Sequence, residues 1–363
     1  MRTLILSFIL LILFNLNYAQ EPGSIDNIEV SQRTGDEERV IDIAFTLSGG
    51  DYYAITLGIK FNGDDDFTPI QSGHLIEPDP AYEILDEHFD ETIVGAIIVE
   101  SGDIQLVWDG RESFSDIDAA EARVEITATR GMKDFDGSFY KSVLIGDQEW
   151  MAENLRVSKY KNGDAIPTGL IDVQWESTKD GAYAVYPHGD VDGIDSHKEM
   201  VLAYGKLYNW FAVGDSRGLC PAGWSVPSKD DWTQLIDYVV AQGFPNDDSY
   251  DPSGAGNALK SCRQVYSPLG GDCNTSEHPR WNSSDTNTHH GFDEFGFSAL
   301  PGGARIGKFF VIGSWGHWWT ASATEHHDAY AIARFMHSVH GNVSGNNNNK
   351  MYGYSVRCLR DID

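Results

Sequence analysis

"GLCPAGWSVPSKDDWTQL" (218–235) is the stretch from which the fold is best read. Pro227 closes an extended run, and Ser228 is a residue type whose hydroxyl accepts a backbone N–H at a helix start. Asp231, three positions on, is a shorter relative of the glutamate in a capping box. Trp232, Leu235, Ile236, Val239 and Val240 then recur at helical spacing. Residues 228–242 are therefore expected to form an amphipathic helix with one buried face, with Trp224 and Trp232 in the core. Downstream, "GHWWTAS" (316–322) reads as a central strand, which sends Trp318 and Trp319 to opposite faces. Both are assigned to the core framework. One of them packs inside, and the other is left to line a surface with His317. The last block, "YSVRCLR" (354–360), alternates, with Tyr354, Val356 and Cys358 on one face and Arg357 on the other.

The chain has four cysteines, Cys220, Cys262, Cys273 and Cys358, which allow three pairings. None stands in a C-x-x-C pair, so zinc and thioredoxin-like readings lack their spacing. Cys262 and Cys273 flank the loop "RQVYSPLGGD" (263–272), which a local bridge could close. That would leave Cys220 with Cys358. Disulfides suit an oxidising compartment, and the N-terminus agrees. Arg2 precedes the apolar run "LILSFILLILFNL" (4–16) and then "NYAQ" (17–20), the pattern of a signal peptide, 1–19, cleaved after Ala19. The run is shorter than the roughly 20 residues that span a bilayer. No cysteine near the cleavage point suggests a lipid anchor. The mature chain is expected to be secreted or at the cell surface, with no transmembrane segment.

The formal net charge is −29, and it is uneven. Residues 20–130 carry 26 acidic and 6 basic side chains, whereas the chain after position 130 carries 29 and 19. Such a field repels phosphates and anionic lipid, which argues against nucleic acid as a partner. Within 20–130, "VIDIAFTL" (40–47), "YAITLGIK" (53–60), "TIVGAIIVE" (92–100), "IQLVWD" (104–109) and "ARVEITATR" (122–130) read as strands. "GG" (49–50), "NGDDD" (62–66) and "SGD" (101–103) read as the turns between them. An acidic antiparallel β-sandwich of the immunoglobulin or fibronectin III kind is the expectation. "GMKDFDG" (131–137) is the join to a second domain, 131–363, in which tryptophan, tyrosine, glycine and histidine become frequent.

From Asp134 onward the chain resembles the Fibrobacter succinogenes major paralogous domain, a family common in secreted proteins of Bacteroidetes. The resemblance rests on "DFDGSFYKSVLIGDQEWMAENLRVSKYKNGDAIP" (134–167), "YGKLYNWFAV" (204–213), the opening block, "GFDEFGFSALPGGAR" (291–305), "GHWWTAS" and "GYSVRCLRD" (353–361), in family order. It implies an α+β, C-type-lectin-like C-terminal domain behind an all-β sandwich. It also implies the bridge Cys220–Cys358 that closes that fold, and with it Cys262–Cys273.

The formylglycine-generating branch of this fold needs reactive thiols near the C-terminal core, and "LPGGARIGKFF" (300–310) holds none. Neither a G-x-S-x-G elbow nor a Walker or dinucleotide loop is present, so no catalytic residue is assigned. "GDVDGIDSHKE" (189–199) spaces Asp190 and Asp192 like a calcium loop. However, Gly193 comes early, Ile194 replaces a ligand and Val201 stands where the closing Glu belongs. The sugar-ligating motifs of animal C-type lectins are also missing, and "WNSSD" (281–285) only echoes one. Calcium thus lacks a complete motif, and no cofactor is assigned. The pairs His326–His327 and His289–His290, with His337 and His340, read as solvent-facing loop histidines.

Binding remains. A loop surface built from 262–292 and 306–347 is expected to carry Trp281, Asn282, Asp285, His289, His290, Lys308, His317, Glu325, His326, Arg334 and Asn342. "SGNNNNK" (344–350) is read as a flexible turn. The partner class is a polysaccharide or a cell-surface protein, and the role is recognition or adhesion without catalysis. The alternatives are an enzyme of another activity, or a structural subunit of an envelope or secretion assembly.

Overall fold

A computed structural model describes residues 24–33, 40–60, 66–70, 75–76, 82–110, 123–283 and 290–362. The described chain divides into two compact units between Met132 and Lys133. The signal-peptide segment lies outside the described residues, as do positions 62–65 of the acidic turn. Both units are rich in strands, and their helices are short.

The first unit contains β1 (Ile25–Gln32), β2 (Val40–Lys60), β3 (Thr68–Ile70), β4 (Leu75–Ile76), β5 (Glu83–Ile84), β6 (Ile97–Asp109) and β7 (Arg123–Lys133). β2 is the spine. Its first half pairs with β1 and β6, and its second half with β6, β7 and β3, always antiparallel. Alternate residues Ile41, Ile43, Phe45 and Leu47 join Tyr53, Ile55, Leu57 and Ile59 of the second half in one core with Val99, Leu106, Trp108 and Ile126.

The expected turns at Gly49–Gly50 and Ser101–Asp103 are absent from this unit; β2 and β6 run straight through them. The register slips between Leu47 and Tyr52, where Gly49 (φ 89°) and Gly102 (φ 137°) take left-handed backbone. A glycine pair permits a bulge as readily as a hairpin, and here the partner strand continues on both sides. The expected strand 92–100 starts late. Glu91–Ile93 is a short 3-10 turn capped by Asp90, and β6 begins at Ile97.

The second unit opens with β8 (Phe139–Ile145) and β9 (Gln148–Met151), then α1 (Asp172–Trp175), β10 (Tyr183–Ala184), α2 (His197–Tyr204), β11 (Leu207–Tyr208) and α3 (Trp210–Val213). Next come α4 (Lys229–Ala241), α5 (Ala255–Leu259), β12 (Ala304–Ile306), β13 (Lys308–Phe310), β14 (Trp315–Ala323), β15 (Tyr330–His337), β16 (Ser344–Asn349) and β17 (Leu359–Asp361). β8, β9 and β17 pair antiparallel, and β14–β15–β16 form a separate antiparallel sheet.

α4 is the expected helix. The Ser228 hydroxyl accepts the Asp231 N–H, and the Asp231 carboxylate accepts the Ser228 N–H. Trp232, Leu235, Ile236 and Val239 are buried, but Val240 is 42% exposed and falls outside the buried face. Trp232 meets Trp150 edge-on at 5.1 Å and Phe297 at 5.7 Å. Such aromatic pairs contribute about 0.5–1.5 kcal/mol beyond their buried area. Both expected bridges form, Cys220–Cys358 and Cys262–Cys273, and the first ties the turn before α4 to the chain end. Arg357 does oppose Cys358, yet it is fully buried. Its guanidinium donates to the carbonyls of Ser298 (2.6 Å) and Met151 (3.2 Å) and lies 4.5 Å from the Phe297 ring centre. Residues 344–349, expected as a flexible turn, are strand β16. Their amides serve the backbone locally, as where Asn346 Oδ1 accepts the Asn347 N–H at 2.8 Å.

Candidate functional site

The β14–β16 sheet has two unlike faces. Inward, Trp318 and Met336, the latter paired with Gly316, meet α4 and the aromatic core. Outward, β14 presents Trp315, His317 and Trp319, and the directly paired residues on β15 are His337, Phe335 and Ala333. β16 adds Ser344 opposite Phe335, Asn346 opposite Ala333 and Asn348 opposite Ala331.

This outer face is divided along its length. At one end Trp319, Ala331 and Ala333 are fully buried; the Trp319 N–H is held by the Tyr208 carbonyl at 2.9 Å. At the other end Trp315, His317, Phe335, His337 and Ser344 are half-buried, and Asn346, opposite Ala333, is exposed where the two ends meet. His317 lies stacked between Trp315 (5.5 Å, 20°) and Tyr354 (4.7 Å, 11°). Phe335 leans on Trp315 at 5.6 Å. The open end is thus an aromatic row flanked on β16 by a hydroxyl and an amide. Because Asn346 Oδ1 is engaged by its neighbour's N–H, its NH2 group remains as a donor.

The imidazoles here are neutral. Burial pushes His317 down to about 4. Burial also pushes His337 down to about 4, helped by the nearness of His340 and Lys260. His337 Nδ1 accepts the Val339 N–H at 3.1 Å, which fixes that nitrogen as the unprotonated one. His337 and His340, expected as solvent-facing loop histidines, are half-buried and adjacent: β15 ends at His337 and the following turn brings the rings to 5.0 Å. Beneath them Lys260, 1% exposed, donates to the carbonyls of His337 (3.0 Å) and His340 (2.9 Å). Burial pushes its ammonium down to about 7.

The loop residues expected to form a site are dispersed. Trp281 is a core residue, 1% exposed, with its ring N–H bound to the Ala299 carbonyl at 3.0 Å, so it offers no face for stacking. Trp318 and Trp319 are both fully buried, and neither is left over for recognition. Trp224 and Trp232 are buried as expected. Arg334 lies on the inner-face register opposite Trp318 and is spent on α4, reaching the Lys229 carbonyl (3.3 Å) and the Thr233 hydroxyl (3.0 Å). Asn282 bonds Ser314 (3.1 Å) beside the start of β14, whereas Glu325 and His326 are exposed beyond its far end. Nine strand residues separate those positions, roughly 25–30 Å. Lys308 is exposed on β13, Asn342 bonds Ser344 at 3.2 Å, and His290 packs near Phe292. Asp285 and His289 lie outside the described residues. Within 189–199, Val191 and Ile194 are core anchors and Ser196 caps α2.

Sequence reasoning missed Trp315, Phe335 and Asn346. The signal was there: Trp315 and His317, and likewise Phe335 and His337, are two apart and so share a face. The adjacent Trp318–Trp319 pair drew attention away from that period.

The Fibrobacter succinogenes major domain matches residues 143–360. The chain belongs to that family. No curated protein and no solved structure matches it. The whole outer face, from Trp315 to Tyr354, lies inside the matched family domain.

Proposed function

We propose that the chain is a secreted recognition protein whose C-terminal domain has a C-type-lectin-like fold and binds a polysaccharide through the outer face of β14–β16. The observation that carries this reading is the row of Trp315, His317 and Phe335 beside Ser344 and Asn346. Pyranose rings pair an apolar face with peripheral hydroxyls, and an aromatic row edged by hydroxyl and amide groups answers both. Phe335 on the central strand is the apolar contact, while Asn346 supplies a donor at the rim. The neutral imidazoles suit uncharged sugar hydroxyls. The two disulfides fit an oxidising, extracytoplasmic compartment, and among the described residues no helix is long and apolar enough to cross a membrane. In this reading the acidic N-terminal unit is an immunoglobulin-like spacer or docking module.

A glycan array with residues 20–363 tests the proposal. Binding of at least one polysaccharide that falls tenfold or more in Phe335→Ala and in Asn346→Ala supports it, and silence across the array sinks it. A protein partner is the second reading, favoured by one feature. The loop closed by Cys262–Cys273 holds out Tyr266 (82% exposed) and Leu269 (50%), the kind of aromatic anchor that dominates protein interfaces.

A further inference from the structure

A separate recess of about 340 Å3 lies in the second unit, lined by Trp210 and Phe211 of α3, by Lys179 and Asp180, and by Asp215 and Arg217 just after α3. Its volume is at the small end for ligand sites. None of its lining residues belongs to the outer face described above. The Arg217 guanidinium and its carboxylates are fixed before any ligand arrives. Asp215 grips Arg217 through two bonds, Nε to Oδ1 at 2.9 Å and Nη2 to Oδ2 at 2.8 Å. Asp164 takes Nη1 at 3.0 Å. The guanidinium lies 3.9 Å from the centre of the buried Tyr160 ring. That tyrosine is pushed up to about 12, by burial first and then by the Asp215 charge.

The two walls are also stapled together. Asn209, fully buried at the start of α3, accepts the N–H groups of Ala182 (2.9 Å) and Ala212 (3.1 Å) and donates to the Asp180 carbonyl (2.9 Å). Trp210 is held by its N–H to the Thr320 carbonyl at 2.9 Å. A Cβ on Gly214 would come within 2.7 Å of that ring, and one on Gly181 within 2.0 Å of the Tyr160 oxygen. Both glycines are therefore required by the wall itself.

We infer that this recess binds one neutral saccharide unit. Charge decides the class. Asp164 and Asp215 together outweigh Arg217 by one negative charge, and the Lys179 and Asp180 side chains offset each other, so nothing in the recess calls for a phosphate, sulfate or uronate. The carboxylates, tied to the same guanidinium, are equally poor as a cation trap. What remains is a rigid plate of charge-assisted acceptors and donors facing an aromatic wall. Vicinal hydroxyls on a ring with an apolar face satisfy both, and ions of either sign do not.

The test is saturation-transfer NMR on residues 20–363 with methyl glycosides of glucose, galactose, mannose and glucuronic acid. Transfer to at least one neutral glycoside is expected, exceeding that to the glucuronide. Ala165 is exposed on the lining, so Ala165→Trp fills the recess without removing a contact and should abolish the transfer. Asp180→Ala, a rim change that leaves the backbone staple in place, should reduce it at least fivefold and guards against misfolding of the first variant. Phe335→Ala should leave it intact, which separates this site from the sheet face. Absence of transfer from every neutral glycoside, preference for the glucuronide, or transfer indifferent to both recess variants overturns the inference.

Discussion

The two faces of β14 differ by one residue of sequence and by everything in environment. Trp318, facing in, is sealed. Its N–H meets Asn154 Oδ1 at 2.9 Å, its ring lies 6.1 Å from Trp232, and the Arg357 guanidinium sits 5.9 Å away. Even its neighbour is chosen for it, since a Cβ on Gly316 would come within 2.2 Å of the Trp318 ring. Trp315 and His317, facing out, stack on one another and still reach solvent. The inner face is a solid in which each ring has one place. The outer face is a stack whose members touch water at their edges. A strand that buries one side for stability leaves the other to be specialised, and the partial cover by Trp319 and Tyr354 confines that freedom to one end.

The largest effect is expected inside. Trp318→Ala removes a fully buried indole and leaves Asn154 Oδ1 with only the longer bond from Arg357 at 3.3 Å, and should lower the unfolding free energy by about 3–5 kcal/mol. Urea denaturation of the variant beside wild type measures it. A loss below about 1 kcal/mol would mean that the inner face is no more committed than the outer.

Acid should strike the outer face. His317 and His337 titrate near 4 in the folded chain against about 6.5 when unfolded. Between those values the unfolded chain binds protons that the folded chain refuses. The stability they confer is therefore fully present above pH 6.5 and is lost as pH falls toward 4. Lys260, near 7 when folded, acts in the same sense at higher pH, so stability gains further from about pH 7 to its ordinary value near 10.4. Other carboxylates titrate over the acid range, so the informative quantity is a difference. His317→Phe keeps a stacked ring and removes the charge, and should flatten the fall between pH 6.5 and 4 by about 1–3 kcal/mol. An unchanged slope would place the acid sensitivity elsewhere.

The two faces were also unequally legible in the sequence. α4 and its capping box follow from side-chain chemistry within four residues, and the structure has them. The β14 strand was equally plain, as was the opposition of Trp318 and Trp319. What lies above a strand was not, because cover comes from distant chain. Trp319 is buried by the 207–208 segment and Tyr354, so period-two logic alone left it a false vacancy. Trp281 was misplaced for the same reason, its ring captured by the Ala299 carbonyl. The bulge at Gly49–Gly50 escaped because glycine pairs serve turns and bulges alike, and only the pairing of β2 with β6 decides between them. The recess beside Trp210 depends on Asn209 joining segments 27 or more residues apart, a proximity that no local pattern encodes.

The smallest effect on stability should accompany the largest on recognition. Phe335 is half-buried and rests on Trp315 and His317 without a polar bond of its own. Truncation to alanine leaves Trp315 stacked on His317 and His317 on Tyr354, and opens space toward solvent rather than a sealed cavity. The cost to folding should accordingly be about 1 kcal/mol or less, well under that of a buried aromatic. If the outer face is a binding surface, the same change should cost at least tenfold in polysaccharide affinity, an amount its folding penalty cannot explain. A Phe335→Ala chain as unstable as Trp318→Ala would make the outer face a second core. A stable variant with undiminished binding would move recognition to another part of the domain. Only the combination of small folding loss and large binding loss sets the two faces of β14 apart in function as they are in packing.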